Sequence, residues 1–277
     1  MTTATTTARR VDTSVARAGF GSTLASEWTK FTSVRSTYIM IGLTVLLSLG
    51  MTVLVTTVIG ATWSDWQPSD QASFDPILTS LSGAIFSGII LSVLGVTAVS
   101  SEYSSGMIRT TLTATPRRGR VLAAKALIIG AIALVVGTIT TIGMFLVGQA
   151  ILGSSGIPTA SLGDEEALRT LFGIGIGSPV FPLIGAALAF LLRNTAGAIT
   201  TVIALIFAPS IFGAVLTSWW QENIIRFLPG PATDNLARLN ESGSALYMAP
   251  GLAAIVAVAW LVLFHGAAYA LLTKRDA

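Results

Sequence analysis

SEYSSGMIRTTLTATPRRGRVLAAK, residues 101–125, is the one strongly basic stretch lying between two long apolar runs. It sets Arg109, Arg117, Arg118, Arg120 and Lys125 against a single acid, Glu102. Lys and Arg in a short loop beside an apolar span resist translocation, so charge of this density marks the cytosolic face of a membrane protein. The rest of the chain agrees with that setting. Only 10% of its 277 residues are charged, against about 25% in soluble domains, while 52% are hydrophobic and the mean hydropathy is +0.77. Such a chain in water would expose large apolar patches, which a bilayer accepts. The net charge of +3 sits in short loops flanking apolar runs, so it reads as topology and not as nucleic-acid binding.

Working outward from the basic loop, six apolar runs are long enough to cross a bilayer as helices: about 38–60, 77–100, 121–152, 168–192, 196–216 and 248–272. Residues 1–19 are Thr-rich and basic, which predicts a disordered tail. Over 20–37, Phe20, Leu24, Trp28, Phe31 and Val34 recur at steps of three and four, with Glu27, Lys30 and Arg35 between them. That pattern predicts an amphipathic helix lying in the membrane interface. Thr44, Ser48, Thr52 and Thr56 stand four apart on the first span and form one hydroxyl stripe. Two readings stay open for it: a face lining a path, or hydroxyls bonded back to the preceding turn's carbonyls. The run Gly173 to Gly185, with Pro179 and Pro182, predicts a kink midway along the fourth span.

The segment 218–247 is too long for a simple turn. It reads as two short helical pieces, 219–228 and 234–239, separated by the breaker Pro229-Gly230-Pro231, with Trp219, Trp220 and Phe227 at the outer membrane face. With both termini inside, 13 of the 16 basic residues fall on the inner face and 9 of the 13 acids on the outer. The fold predicted is therefore an all-α integral membrane protein of six transmembrane helices, N-in and C-in.

Absences narrow the chemistry. No Asp, Glu, Lys or Arg lies mid-span, which disfavours an ion-coupled carrier. No GxxxxGK[ST] occurs, so a P-loop ATPase site is not encoded in this chain. The sequence has no Cys and only one His, His265, which disfavours a buried metal centre. The GxSG match at 153–156 and His265 fall at opposite ends of the predicted bundle, which argues against a catalytic pair.

Within the basic loop the order is an acid ending a span, a Gly break, a short helix over about 107–114, and a Pro stop. At Glu102, Gly106, Ile108-Arg109-Thr110-Thr111-Leu112, Thr115-Pro116, Arg117, Arg118 and Lys125 the sequence resembles the permease subunit of type-2 ABC exporters, of the small six-span bacterial and actinobacterial kind. The interfacial helix, the six spans and the helical outer segment extend that resemblance over most of 20–275. What the resemblance implies is a non-enzymatic transport subunit of the bacterial plasma membrane. Two permease chains, identical or close paralogues, would form the path. Each would dock a separate ATPase, which carries ATP and Mg, through a coupling helix in the 101–120 loop. The chain itself would hold no cofactor. Residues 20–37 would be the elbow helix, and 218–247 an external lid over the path. An apolar or amphipathic cargo, such as a drug, an antibiotic peptide or a lipid, suits spans without charge. The same basic loop is compatible with contact to membrane lipid phosphates, and so with two other classes, an ATP-independent channel or carrier and a lipid-binding scaffold.

Overall fold

The computed structural model describes residues 19–114, 117–240 and 242–274, and these are helical, with no strand among them. The expected disordered tail, apart from Gly19, lies outside the described residues, as do Thr115 and Pro116. The first helix, α1 (Phe20–Ser33), stops at Val34, whose backbone is extended, and α2 (Arg35–Thr62) starts at once in a new direction. Phe31's carbonyl, freed by that break, accepts a hydrogen bond from the Thr37 hydroxyl at 3.0 Å.

Beyond a one-turn 3-10 helix at Trp63–Asp65 come α3 (Pro68–Ala72) and α4 (Pro76–Ser80). Asp75 caps α4, accepting from the backbone N–H of Ile77 at 2.7 Å and of Leu78 at 3.0 Å. Loss of an N-cap acceptor typically costs about 1 kcal/mol. Asp75→Ala should accordingly lower the thermal midpoint of the purified protein slightly, and Asp75→Asn should restore it.

The second apolar run does not form the single helix expected over 77–100. It breaks after α4 at 81–83 and resumes as α5 (Ala84–Ser104). The cause is contact: Gly83 lies so close to the Ser48 carbonyl of α2 that a Cβ there would overlap it. A short helix, α6 (Met107–Ala114), separates α5 from α7 (Arg118–Ser154), which at 37 residues is about 55 Å long. The fourth run is α8 (Glu165–Gly177) and α9 (Val180–Leu192), broken at Ser178-Pro179, where proline supplies no backbone N–H. Ser178 instead donates its hydroxyl to the Ala133 carbonyl of α7 at 2.9 Å. Asn194 caps α10 (Thr195–Val215) by accepting from Gly197 N–H at 2.8 Å.

The segment 218–247 corrects the sequence expectation. Its first piece is α11 (Ser218–Asn223) followed by a 3-10 turn, Ile225–Phe227. Its second is α12 (Pro229–Leu236), so Pro229-Gly230-Pro231 begins a helix where a breaker was expected. Both prolines occupy its first turn, where backbone N–H groups have no intrahelical acceptor to lose. The last helix is α13 (Pro250–Lys274).

Among the described residues, six helical stretches are long and apolar enough to cross a membrane: 35–65, 84–104, 118–154, 165–192, 195–215 and 250–274. The core forms around α5 and α9, which pack on each other most extensively. Gly95 of α5 meets the Pro182 carbonyl of α9 there, with no room for a Cβ. Around this pair, α2, α10 and α13 leave large apolar side chains such as Leu46, Val58, Ile211, Val215, Ile255 and Val262 uncovered. An apolar belt of this kind needs lipid or another apolar surface against it.

Candidate functional site

At the α5 terminus the chain must reverse within two residues to start α6. Gly106 makes the turn with φ +72, the left-handed region that side chains avoid, and nothing lies within 4 Å of where its Cβ would be. Glycine is therefore required here by backbone shape and not by crowding. From Gly106 the helix α6 carries Ile108 and Leu112, one turn apart, into the core, where they are 4% and 7% exposed. Arg109, Thr110 and Thr113 remain exposed on the opposite face, and Thr111 lies between the two faces.

Thr111 touches an ion cluster built from three helices. Glu27 and Lys30 come from α1, Glu102 from the end of α5 and Lys125 from the first turns of α7. Lys125 Nζ lies 2.6 Å from Glu27 Oε2 and 2.8 Å from Glu102 Oε1. Lys30 Nζ lies 2.6 Å from Glu27 Oε1 and 3.2 Å from Glu102 Oε1, and donates to Thr111 Oγ1 at 2.9 Å. Glu27, Glu102 and Lys125 are buried, while Lys30 is half-buried. Two cations meeting two anions give no net charge, the condition under which buried ions are tolerated. Burial alone would pull the Lys30 pKa below its ordinary 10.5, but hydrogen bonds and charge from Glu27 and Glu102 outweigh that and raise it. A raised lysine pKa means its contribution to stability is complete below 10.5 and drains only as pH climbs through the higher folded-state value.

The acid near the end of α5 and the lysine in the first turns of α7 thus form an ion pair inside the chain. Sequence reading did not find that Glu27 and Lys30 complete the cluster. The available signal was a Glu and a Lys three residues apart on an otherwise uncharged helix. The orientation of α1 follows from the same contacts. Thr23 and Glu27 point into the bundle, Leu24 and Phe31 are half-buried, and Phe20, Trp28 and Val34 face outward.

The other basic residues serve neighbouring contacts. Arg118 donates to the Leu272 carbonyl at 2.6 Å, joining the start of α7 to the end of α13. Arg193, left-handed at φ 52, holds its guanidinium 5.6 Å from the centre of the Tyr103 ring. Arg117 precedes α7 and is exposed.

The hydroxyl stripe of α2 lies in a packing seam, with Thr44, Ser48, Thr52 and Thr56 all at 0% exposure. Thr44 and Thr56 donate to the carbonyls of Met40 and Thr52, one turn back, at 2.8 and 2.7 Å. Thr52 donates across to the Ser80 carbonyl at 3.0 Å. At the far end of the bundle, Trp219 and Trp220 stand edge to face, 5.4 Å between ring centres, and are exposed. Phe227 stacks under Arg226, and its carbonyl accepts from Trp260 Nε1 of α13 at 2.7 Å.

Comparison with known proteins places this arrangement. No curated protein matches the chain. The family model described as ABC-2 family transporter protein matches residues 23–211, from α1 through most of α10, and includes the whole ion cluster and α6. The chain is therefore a member of the ABC-2 transporter family, a multi-pass membrane permease that is itself not catalytic.

Proposed function

We propose that this permease is the membrane half of an ATP-driven exporter in the bacterial plasma membrane, and that α6 is its coupling helix. A separate ATPase subunit, loaded with ATP and Mg, docks against the exposed face of α6 on the cytosolic side. Two permease chains meet to form the path. Closure of the ATPase pair moves α6, the movement passes into α5 and α7, and the path opens outward beneath the lid formed by Trp219, Trp220 and Phe227. The cargo is apolar or amphipathic, a drug, an antibiotic peptide or a lipid.

The observation that carries this reading is the build of α6. It is too short to be stable alone, yet it is fixed on one side by Ile108 and Leu112 and by the Lys30–Thr111 hydrogen bond, and it offers Arg109, Thr110 and Thr113 on the other. A helix anchored along one face and bare along the other is suited to being gripped and moved as a unit. Arg117 extends the exposed basic surface beyond it. Thr115 and Pro116 belong to the proposed docking loop by resemblance alone.

The test uses the permease co-expressed with the ATPase that this reading expects to be encoded beside it. Arg109→Glu with Thr113→Glu, both exposed, should abolish co-purification of the ATPase and remove transport-linked ATP hydrolysis. The thermal midpoint of the permease alone should stay within about 2 °C of wild type, since exposed substitutions usually change stability by under 0.5 kcal/mol. Normal ATPase recovery and normal transport by that variant would overturn the assignment of α6.

A further inference from the structure

Directly beneath the ion cluster, where the chain breaks at Val34, a cavity of about 200 Å³ opens between α1, α2, α5 and α7. Its walls are mainly apolar, from Phe31, Val34, Met40, Leu94, Ile128 and Ile129, and all four cluster residues border it. Counting hydrogen-bond valences shows what the polar end lacks. Each ammonium has three hydrogens to give. Those of Lys30 match Glu27 Oε1, Glu102 Oε1 and Thr111 Oγ1. Those of Lys125 match Glu27 Oε2, Glu102 Oε1 and, at 3.5 Å, the Ala98 carbonyl. Both oxygens of Glu27 are then engaged, and Glu102 Oε1 is engaged twice. Glu102 Oε2 is buried and has no donor among the described residues.

We propose that this cavity binds the alkyl chain of a neutral amphiphile whose hydroxyl donates to Glu102 Oε2. The four charges already cancel, so a cationic head would leave an uncompensated buried charge, and so would an anionic head. An anion would in addition meet the carboxylate that borders the cavity and whose Oε2 still needs a donor. A hydroxyl satisfies that oxygen without altering the charge, and the apolar walls take the chain. The hydroxyl has two available sources, a membrane acylglycerol or a small cargo molecule. The site belongs to this chain alone and needs no ATPase, so its failure and the failure of the coupling reading are separable.

The experiment places the purified permease in phosphatidylcholine nanodiscs, a lipid with no hydrogen-bond donor. Decan-1-ol, decyl methyl ether, decanoate and decylammonium are titrated against it, with bound stoichiometry read by native mass spectrometry and affinity by the rise in thermal midpoint. Decan-1-ol should bind at one site per chain, at least about tenfold more tightly than the ether, as expected for a hydrogen bond to a charged acceptor. In Glu102→Gln the alcohol and the ether should bind alike, because an amide N–H now faces the ligand oxygen. Met40→Trp, at a half-buried wall position, should fill the space and remove alcohol binding while leaving the ion cluster whole; this variant keeps the test decisive if Glu102→Gln does not fold. Monoolein competing as well as decan-1-ol would assign the site to a lipid, and failure of monoolein beside success of the alcohol would assign it to cargo. Equal affinity for alcohol and ether in the wild type would mean that water satisfies Glu102, and would overturn the proposal. Tighter binding of either charged probe, or alcohol binding that survives Met40→Trp, would overturn it too.

Discussion

Lys125→Met should be among the most damaging single substitutions in this permease. Lys125 Nζ is within 2.8 Å of two buried carboxylates, one on α1 and one on α5. Methionine keeps much of the side-chain volume and removes the charge, leaving Glu27 and Glu102 to share Lys30 in a poorly solvated site. Breaking a buried ion pair from one side typically costs about 3–5 kcal/mol, which for a chain of this size corresponds to a fall of roughly 10 °C in thermal midpoint. Part of that loss should be reversible by a second change. Lys125→Met with Glu102→Gln leaves one acid and one base, Glu27 and Lys30, already 2.6 Å apart. The double variant should regain more than half of the lost midpoint, measured in the same nanodiscs. A single variant within 1 °C of wild type would show that the cluster contributes little to holding α1 on the bundle.

The second large effect belongs to Gly95. Its Cα faces the Pro182 carbonyl so closely that a methyl group would overlap backbone, which cannot rotate away as a side chain can. Gly95→Ala therefore forces α5 and α9 apart at the centre of the core. Overpacking usually costs about 1–3 kcal/mol. A backbone-to-backbone clash on the most extensively packed helix pair belongs at the top of that range. Gly88 supplies the control two turns earlier on the same helix, with nothing within 4 Å of its would-be Cβ. Gly88→Ala should leave the midpoint unchanged or slightly raised, since alanine is the better helix former. Equal tolerance of both substitutions, judged by thermal midpoint and yield of monodisperse protein, would contradict the close approach.

Much of this architecture is written locally, and what is local was legible. Apolar runs of the right length, acids in 61–76 and bases in 101–125 are properties of contiguous sequence. So are the limits of α6, announced by Gly106 on one side and Pro116 on the other. What escaped is what depends on distant partners. Lys30 meets Glu102 across 72 residues and Thr111 across 81, and nothing in the polar face of α1 says what that face will meet. The usual rule for an amphipathic helix, apolar side to the protein, fails for α1 because the bundle end offers it charges. The break at 81–83 escaped for a related reason: its cause is a carbonyl on another helix, at Ser48. Pro229 misled because proline both ends helices and starts them, and only the surrounding fold decides between the two. The hydroxyl stripe of α2 was visible as a pattern, but its burial depends on how α4 and α5 lie against it.

The unbroken length of α7 has a mechanical meaning. Near one end Lys125 grips α1 and α5; near the other Gln149 gives its amide hydrogens to the Pro76 carbonyl at 2.9 Å and the Ser80 hydroxyl at 3.0 Å, and accepts from Ala160 N–H at 2.8 Å. The two grips are 24 residues apart, about 36 Å along the axis, and the rod between them contains no proline and no break in its helical ladder. A displacement of the Lys125 end would thus be carried along the rod to the 76–80 turn and to the segment at 160, the contacts at its two ends moving together.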